Sequence, residues 1–344
     1  MKKVLSIGYG TIGDIYDLKE DLSSRHFYGL VELKAKYQIR QLTLSSQGGW
    51  RTSIRNNVAS LAPCDIVYMG YLYVAPLLLL AVLKHLGIRR PLIVVVCHHT
   101  LGRPSGLLSR WLFRLVYSAI DQFLFHSAKN MDESIASGMV SPQRAAYFDW
   151  GEDIGFIDRH YQPSDGGYFI STGRENRDFR LLVEAFSQAG ARLELYTNAR
   201  NVDNDYTYLS QQQGRHPAVR IEFVTHGKDI FRMLGERTAG SRCVVVPLLK
   251  KRVDYCLGLT SIVEAMAMGK PIISSPNPYS PIDLEAEGIG FYADSVDDWV
   301  RYIQYLDQHP DVAASMGRKA RRLAEERYNI NSLATKLDQI WSTK

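Results

Sequence analysis

Short apolar runs alternate with longer stretches of helical periodicity along the first half of the chain. The runs have the length of buried strands and lie at residues 3–7, 66–69, 92–97, 122–125 and, more weakly, 145–148. Between them, apolar residues recur every three or four positions, and helices are predicted at residues 23–33 and 104–121 among others. Strands that alternate with helices predict a parallel, doubly wound sheet.

The same alternation resumes in the second half, after a break in the pattern. Residues 151–167 are rich in Gly, Asp, Pro and Ser, which indicates a linker between two domains. Further strands are predicted at residues 168–172, 193–196, 220–224, 243–247 and 289–292, and a last helix at residues 330–341. The chain is therefore expected to form two α/β domains.

Composition agrees with two folded domains and leaves the partner open. The chain has 344 residues, of which 46% are hydrophobic and 22% charged, which suffices for two complete cores. A formal net charge of +5 neither requires nor excludes nucleic acid, and it fits a phosphate-bearing substrate or an anionic membrane surface equally well. We expect no nucleic-acid partner. Four cysteines without metal-binding spacing predict buried, reduced thiols in a cytoplasmic protein.

Residues 258–275 carry a glycine turn, a short apolar helix, a glycine stop at Gly269 and a buried strand. The unpaired N–H groups of a helix N-terminus and the positive end of its dipole favour an anion such as a diphosphate. These groups are predicted at Gly258, Leu259, Thr260 and Ser261. Glu264 lies one turn into the helix, where its carboxylate suits the vicinal hydroxyls of a ribose.

This segment resembles the nucleotide-sugar segment of retaining glycosyltransferases of the GT-B fold. The family pattern is Glu, seven residues, Glu, with a Gly-Leu pair between them and a closing Glu-Ala-Met-Ala-x-Gly-x-Pro. Glu264 falls on the second glutamate, which the resemblance implies binds the ribose. Cys256 stands where the first is expected, so the donor-sugar contacts differ from those of the family, and Asp254 is close enough to substitute. The resemblance implies a donor site that also includes Cys256 and Leu257.

Residues 173–179 are similar to the Gly-Arg loop of the same family. Arg174 falls on the arginine, and Arg177 falls on the position usually held by lysine, in a loop two residues shorter. The resemblance implies that the two side chains grip the donor diphosphate, since two guanidinium groups can fork onto adjacent phosphate oxygens. A solvated turn, in which the arginines pair with Glu175 and Asp178, is the alternative.

The first domain begins with a Gly-x-Gly-x-x-Gly sequence at residues 8–13. A dinucleotide-binding unit would also carry an acidic residue at the end of its second strand, and residues 41–46 offer none. In the GT-B family a glycine-rich first loop lets the backbone approach the donor phosphate or the acceptor. We therefore place Gly10 and Gly13 in the donor site.

Four polar residues of the first domain are further candidates. His98 and His99 follow the strand at residues 92–97, at the carboxyl edge of the sheet, where open α/β folds place ligands. The resemblance implies that one histidine of this pair faces the donor sugar and acceptor, although histidine at a strand end also often caps a loop. Arg25 and His26 lie close in sequence to the glycine loop and are predicted on the acceptor side, with a solvated cap turn as the alternative.

Residues 103–121 combine an apolar face and a tryptophan with Arg103, Arg110 and Arg114. A basic amphipathic helix of this kind can lie in a membrane interface or simply pack on the sheet. In the first case the protein would be cytoplasmic and peripheral at the inner face of the cytoplasmic membrane. The uncharged stretch at residues 66–83 is interpreted as a strand, a turn and a buried helix, without a membrane span.

The predicted fold is α/β and GT-B, with two Rossmann-like doubly wound parallel-sheet domains facing across a cleft. The expected parts are an acceptor-side domain at residues 1–155, a nucleotide-sugar domain at residues 156–325, and a helix at residues 326–344 that crosses back. The resemblance implies a hexosyltransferase-like enzyme that moves a sugar from a UDP- or GDP-sugar to a saccharide or lipid-linked saccharide acceptor. Retention and a role in bacterial polysaccharide synthesis are also implied.

Catalysis is predicted to be electrostatic, with Arg174 and Arg177 stabilising the leaving group and His98 or His99 at the reacting centre. No cofactor and no obligatory metal are expected, because the acidic residues at positions 203–205 have the pattern of a turn.

Two other functions remain open at this point. One is an NAD(P)-dependent oxidoreductase that uses the glycine loop at residues 8–13. The other is a non-catalytic GT-B-like protein that binds a nucleotide sugar, which Cys256 in place of glutamate suggests.

Overall fold

The chain divides into two compact units in the computed structural model, which describes residues 1–9, 14–17, 22–44, 49–201, 204–225 and 228–343. Unit 1 comprises Met1–Gly151 and Ile330–Lys344, and unit 2 comprises Glu152–Asn329. The divisions, at 151/152 and 329/330, therefore each fall four residues away from the expected boundaries at 155/156 and 325/326. In unit 2 the Glu152 N–H group donates to the Tyr328 carbonyl at 2.8 Å, so the beginning and the end of this unit lie side by side.

Unit 1 is built on a six-stranded parallel sheet in the order β2-β1-β3-β4-β5-β6. The strands are β1 (Lys3–Tyr9), β2 (Gln38–Leu44), β3 (Ile66–Met69), β4 (Leu92–Cys97), β5 (Gln122–Phe125) and β6 (Ala145–Tyr147). Every residue of β3 and β4 is buried, which is expected for central parallel strands covered on both faces. Their continuous apolar runs made these strands predictable from the sequence.

Helices cover both faces of this sheet and produce two separate apolar cores. In the first 151 residues they are α1 (Leu30–Leu33), α2 (Gly49–Ala59), α3 (Leu78–His85), α4 (Leu107–Ala119) and α5 (Ala128–Ala136). The single helix predicted at residues 23–33 is wrong. A 3-10 turn at Ser24–Phe27 precedes α1, and Tyr28 (φ 50°) and Gly29 (φ 86°) between them adopt left-handed conformations that interrupt a helix.

Unit 2 has the same architecture, a six-stranded parallel sheet in the order β12-β11-β10-β7-β8-β9. Its strands are β7 (Phe169–Ser171), β8 (Leu193–Thr197), β9 (Val219–Phe223), β10 (Cys243–Val246), β11 (Ile272–Ser274) and β12 (Gly290–Tyr292). Its helices are α6 (Ile154–His160), α7 (Phe179–Ala189), α8 (Lys228–Gly240), α9 (Leu259–Ala267), α10 (Val296–Gln308) and α11 (Pro310–Arg327). The two doubly wound parallel sheets confirm the predicted α/β fold class.

Part of the segment predicted as a linker, residues 151–167, is helical. Asp153 caps α6 by accepting a hydrogen bond from the Phe156 N–H group at 2.9 Å. Phe156 and Ile157 are buried. Two apolar anchors and one cap therefore suffice for a short helix in a stretch whose composition indicates a loop.

The last helix, α12 (Ile330–Ser342), belongs to unit 1. Trp341 is fully buried and meets the rings of Tyr37 and Tyr68 edge-on, with centroid distances of 5.0 and 5.5 Å. Leu333 of this helix lies so close to Gly29 that an added Cβ there would be 2.8 Å from its Cδ2 atom. The two ends of the chain thus contribute to one core.

Candidate functional site

Two loops at the carboxyl edge of the unit 2 sheet are joined by backbone hydrogen bonds. The first, residues 172–178, follows β7, and the second, residues 247–258, follows β10, the strand beside β7. The Asp178 N–H group donates to the Pro247 carbonyl at 3.2 Å, and the Leu249 N–H group donates to the Asn176 carbonyl at 2.9 Å. The two stretches predicted to bind the donor therefore come together as one structure.

Arg177 is the buried charge of this edge, with 4% of its surface exposed. Its Nη1 atom donates to the Glu175 carbonyl at 2.7 Å, and its backbone N–H donates to the Tyr206 hydroxyl at 2.8 Å. Burial lowers the pKa of the guanidinium, and the neighbouring Tyr206, Tyr255 and Glu175 oppose that shift. Among the described residues, its Nε atom has no hydrogen-bond partner and its charge has no carboxylate within ion-pair distance.

Gly173 makes room for this guanidinium. A Cβ atom at position 173 would lie 2.3 Å from Arg177 Nε and 2.7 Å from its Cζ atom. Asn176 completes the bend with a left-handed φ of 49°, a conformation that asparagine tolerates better than most residues. The glycine and the asparagine therefore fix the path of the loop that buries Arg177.

Arg174 has a different environment, since its side chain is exposed where that of Arg177 is buried. The Asn201 side chain donates to the Arg174 carbonyl at 2.8 Å. The arginine pair predicted from the sequence thus consists of one buried and one exposed guanidinium. Near them, burial raises the pKa of the Tyr255 hydroxyl, and Glu175 raises it further.

The loop at residues 247–258 leads into the N-terminus of α9. Gly258 occupies the N-cap position with φ 87°, and a Cβ atom there would lie 2.9 Å from Val246 Cγ1. Its lack of a side chain leaves the first N–H groups of the helix without a side-chain cap, which is the arrangement that anions use. Asn277, which lies in the segment after β11, supports the loop by donating to the carbonyls of Tyr255 and Leu257, each at 3.0 Å.

The remaining residues of the predicted donor site differ in burial. Cys256, Leu257 and Leu259 are buried, Ser261 and Glu264 are half-buried, and Thr260 is exposed. Burial raises the pKa of the Cys256 thiol to about 12. Cys256 is therefore a neutral thiol at pH 7, in a position where the family carries a carboxylate. Asp254 is exposed.

At the carboxyl edge of the unit 1 sheet, aromatic and imidazole rings form a cluster around His98 and His126. His98 follows β4 and stacks on Tyr71 with centroids 5.0 Å apart, and His126 follows β5 at 5.1 Å from His98. Tyr28 and Trp150 close the cluster, with the two rings edge-on at 5.4 Å. Five separate segments of the chain contribute one ring each.

Both imidazoles of this cluster are neutral at pH 7. Burial lowers the pKa of His98 to about 4 and that of His126 to about 3. His98 Nε2 lies 3.0 Å from the Gly70 carbonyl, and His126 Nδ1 lies 2.7 Å from the Phe148 carbonyl. Because a carbonyl only accepts, these nitrogens carry the protons. His126 Nε2 is then a buried acceptor, and it has no partner among the described residues.

The other predicted residues of unit 1 lie in different surroundings. His99 is exposed, so His98 is the member of the pair that joins the cluster. Arg25 and His26 belong to the 3-10 turn that precedes Tyr28, and burial together with the Arg25 charge lowers the pKa of His26 to about 4. Gly10 and Gly13 lie outside the described residues.

Sequence reasoning missed several residues that shape the two edges: Tyr206, Tyr255, Asn277, His126 and Trp150. His126 had a usable signal, because it directly follows a predicted strand, as His98 does. The others lie in irregular segments, where no periodicity points to a contact.

The four cysteines are free thiols; Cys97, Cys243 and Cys256 are buried as expected, whereas Cys64 is half-buried. Within the described ranges, no group of three or more His, Cys, Asp or Glu side chains is arranged to hold a metal ion. In the same ranges, none of the helices combines the length and apolar character that a bilayer crossing needs.

Residues 250–339 match a family model described as glycosyl transferase-like. The match begins at a 3-10 turn (Lys250–Arg252) within the loop at residues 247–258 and includes α9, β11 and most of α12. It confirms the predicted class, a glycosyltransferase. No curated protein matches the chain in sequence.

Solved glycosyltransferase structures share the fold over the whole chain at low sequence identity. The structure of HepE from Anabaena in complex with UDP-glucose superposes with a TM-score of 0.70 at 15% identity, covering 100% of both chains. A glycosyltransferase from Rickettsia africae gives 0.70 at 13% identity, covering 99% of this chain and 98% of that one. WaaG, involved in lipopolysaccharide biosynthesis, gives 0.61 at 11% identity over 99% of this chain and 100% of that one. The predicted GT-B fold is thereby confirmed.

Proposed function

We propose that this protein transfers a sugar from a nucleoside diphosphate donor, a UDP- or GDP-sugar, to a saccharide or lipid-linked saccharide acceptor. HepE, which shares the fold, was solved with UDP and with UDP-glucose, and this supports UDP as the first nucleotide to test. The involvement of WaaG in lipopolysaccharide biosynthesis supports a role in bacterial polysaccharide synthesis.

The observation that carries this proposal is the buried guanidinium of Arg177. A buried charge is costly unless a counter-charge accompanies it, and no carboxylate of the described residues pairs with it. A diphosphate would supply that counter-charge. Arg174 adds a second guanidinium from the same loop, and the N-terminus of α9 follows the adjoining loop.

These groups would also assist the reaction. When the bond between the sugar and the donor phosphate breaks, negative charge accumulates on the departing diphosphate. Arg174, Arg177 and the N–H groups at Gly258 to Ser261 would stabilise that charge without an obligatory metal. Glu264 would hold the ribose hydroxyls.

The aromatic cluster of unit 1 suits a neutral saccharide. Aromatic rings with a neutral imidazole offer stacking faces and hydrogen bonds to sugar hydroxyls while carrying no charge. His98 would contact the sugar near the reacting centre. Its pKa of about 4 makes it a poor base for a hydroxyl, so we assign it hydrogen bonding and orientation.

We also propose that residues 103–121 contact an anionic membrane surface. On α4, Leu107 is 82% exposed, Leu108 72% and Trp111 61%, and the arginines at 103, 110 and 114 are exposed as well. An apolar face that remains on the surface beside basic residues fits the interface of an anionic bilayer.

A time course of nucleotide-sugar turnover by proton NMR tests the reaction. The purified protein is supplied with UDP-glucose or a GDP-sugar, a panel of simple glycosides or lipid-linked saccharides, and a chelator. We expect release of the nucleoside diphosphate together with a new glycosidic signal of the same anomeric configuration as the donor. A product of inverted configuration would contradict retention.

One observation favours a second function, a non-catalytic nucleotide-sugar-binding protein. Cys256 is buried and neutral where the family has a carboxylate near the donor sugar. Under this alternative the protein binds the nucleotide sugar but shows neither transfer nor slow hydrolysis in the same time course.

A further inference from the structure

The amphipathic character of α2 is inverted. Trp50, Ile54 and Val58 recur at every fourth position, so they form one stripe along the helix. Their exposed fractions are 70%, 55% and 56%. The residues that α2 buries are instead two asparagines, Asn56 and Asn57. A helix on a soluble domain normally packs its apolar stripe on the core.

Hydrogen bonds hold α2 in this orientation. The Asn57 side chain donates to the Ser53 and Ala75 carbonyls at 3.0 and 2.9 Å and accepts from the Leu79 N–H group at 3.0 Å. A rotation that buried the apolar stripe would break the two bonds to Ala75 and Leu79, which lie outside the helix. The exposed stripe is therefore a property of the folded unit.

The charges beside this stripe are all positive. Arg51 and Arg55 follow Trp50 and Ile54 by one position each, and both are exposed. Residues 49–60 contain no Asp or Glu. The Arg51 guanidinium lies 5.5 Å from the centroid of the Trp50 ring. A tryptophan with flanking arginines and aliphatic side chains is the composition of a helix that lies in a lipid headgroup region.

We propose that α2 is a second membrane-contacting helix, which binds the surface of an anionic bilayer through Trp50, Ile54 and Val58. The proposal extends the lipid contact assigned to residues 103–121 but rests on its own helix. Since the crossovers from β2 to β3, β3 to β4 and β4 to β5 run in the same direction, right-handed connections place α2, α3 and α4 on one face of the sheet. α3 packs against both α2 and α4.

A second copy of the chain fits this stripe less well. A symmetric dimer would bring the same patch of each copy together and would face Arg51 and Arg55 with their own counterparts. Such like charges repel, whereas the phosphate groups of anionic lipids attract them. The charge pattern therefore favours a bilayer.

Cosedimentation of the full chain with lipid vesicles tests the proposal. Vesicles of phosphatidylcholine alone are compared with vesicles that also contain phosphatidylglycerol. We expect binding to the anionic vesicles that weakens at high salt. The double variant Ile54→Gln, Val58→Gln should lower this binding roughly tenfold. The double variant Arg51→Gln, Arg55→Gln should lower it by about fivefold for each arginine removed.

Matched control variants show whether a loss of vesicle binding is specific to α2 or follows from any removal of surface arginines or apolar side chains. Arg318 and Arg322 are exposed on α11 with the same spacing of four, and their double glutamine variant should bind vesicles like the wild type. Phe231→Gln removes an apolar side chain that is 47% exposed in unit 2, and it should also have no effect. Every variant should retain the UDP-dependent rise in melting temperature of the wild type, so a failure at α2 is distinguishable from a failure of the donor site.

Three results would overturn the proposal. The first is that both α2 variants bind anionic vesicles within about twofold of the wild type. This includes the case in which only a double variant of α4, Leu108→Gln with Trp111→Gln, lowers binding. The second is equal binding of the wild type to neutral and anionic vesicles. The third is a dimer in light scattering that the α2 variants abolish, without any binding to vesicles, since the stripe would then be covered by a second copy.

Discussion

The carboxyl edges of the two sheets bury opposite kinds of polar group. In unit 2 the edge buries a guanidinium, Arg177, which forms no ion pair with a carboxylate of the described residues. In unit 1 the edge holds two imidazoles, the half-buried His98 and the buried His126, whose pKa values are lowered until both are neutral. The first edge is suited to an anion and the second to an uncharged, hydroxyl-rich partner.

One fold can therefore separate two kinds of substrate through the residue it buries at each edge. A histidine can lose its proton when it is buried, so desolvation leaves it neutral. An arginine stays protonated, so its burial creates a lasting demand for negative charge. The choice between these two residues at equivalent edges therefore assigns the diphosphate to unit 2 and the saccharide to unit 1 in the function we propose.

The largest loss of nucleoside diphosphate affinity is expected from Arg177→Ala. Removal of the buried guanidinium should weaken nucleoside diphosphate binding by about 100-fold, since charge-assisted hydrogen bonds to an oxyanion are lost. Calorimetric titration with UDP measures this. Arg174→Ala, at the exposed position, should have a smaller effect of about tenfold. Equal, negligible effects of both variants would mean that the anion binds elsewhere.

Gly173→Ala should produce much of the same loss while it keeps both arginines. The added Cβ atom would overlap the Arg177 guanidinium, with a distance of 2.3 Å to Nε, and force it out of its position. We expect donor affinity to fall by more than about tenfold. Gly102→Ala is the control, because a Cβ atom there meets nothing within 4 Å. Unchanged affinity in Gly173→Ala would show that the position of Arg177 is unimportant.

Unit 1 should lose folding stability in acid because His126 is buried in its neutral form. Its pKa is lowered from 6.5 to about 3 by burial, so below pH 6.5 the unfolded chain binds a proton that the folded chain does not. Stability contributed by this group is complete above pH 6.5 and falls as the pH is lowered. The loss at pH 5 is about 2 kcal/mol.

Urea unfolding at pH 7 and pH 5 checks this expectation. His126→Asn should lose correspondingly less stability between the two pH values, and the exposed His309→Asn should behave as the wild type does. An identical pH response in wild type and His126→Asn would contradict a buried, neutral imidazole.

The smallest loss of UDP affinity is expected from Asn277→Ala. The Asn277 side chain holds the loop at residues 247–258 through two hydrogen bonds of 3.0 Å to the Tyr255 and Leu257 carbonyls. Their loss should loosen the loop and weaken UDP binding by about fivefold, the value of roughly one hydrogen bond. Binding as tight as in the wild type would show that the loop keeps its shape without this support.

The two edges also differ in how far the sequence could predict them. The edge that we propose for the donor is formed by two contiguous stretches, residues 173–179 and 256–264, so local sequence patterns were sufficient to single out both stretches. The ring cluster draws Tyr28, Tyr71, His98, His126 and Trp150 from separate segments, and a single sequence contains no signal of that proximity. His98 was identified from its place after a strand, and His126 carries the same signal; the other three rings carry none.

Element prediction failed where local conformation depended on tertiary contacts. The helix expected at residues 23–33 is interrupted at Gly29, which lies against Leu333 of α12, a residue about 300 positions away. The exposed stripe of α2 is likewise set by Asn57 and its bonds to Ala75 and Leu79. Buried parallel strands were predictable because their apolar runs are local.

In the function we propose, unit 2 holds a nucleoside diphosphate without a metal ion. The most direct test is an equilibrium titration of the wild-type protein with UDP, GDP and NAD in the presence of a chelator. We predict that one nucleoside diphosphate binds at a single site and that NAD neither binds nor competes. Binding of NAD with no binding of UDP or GDP would contradict the claim and would direct attention to the glycine loop at residues 8–13.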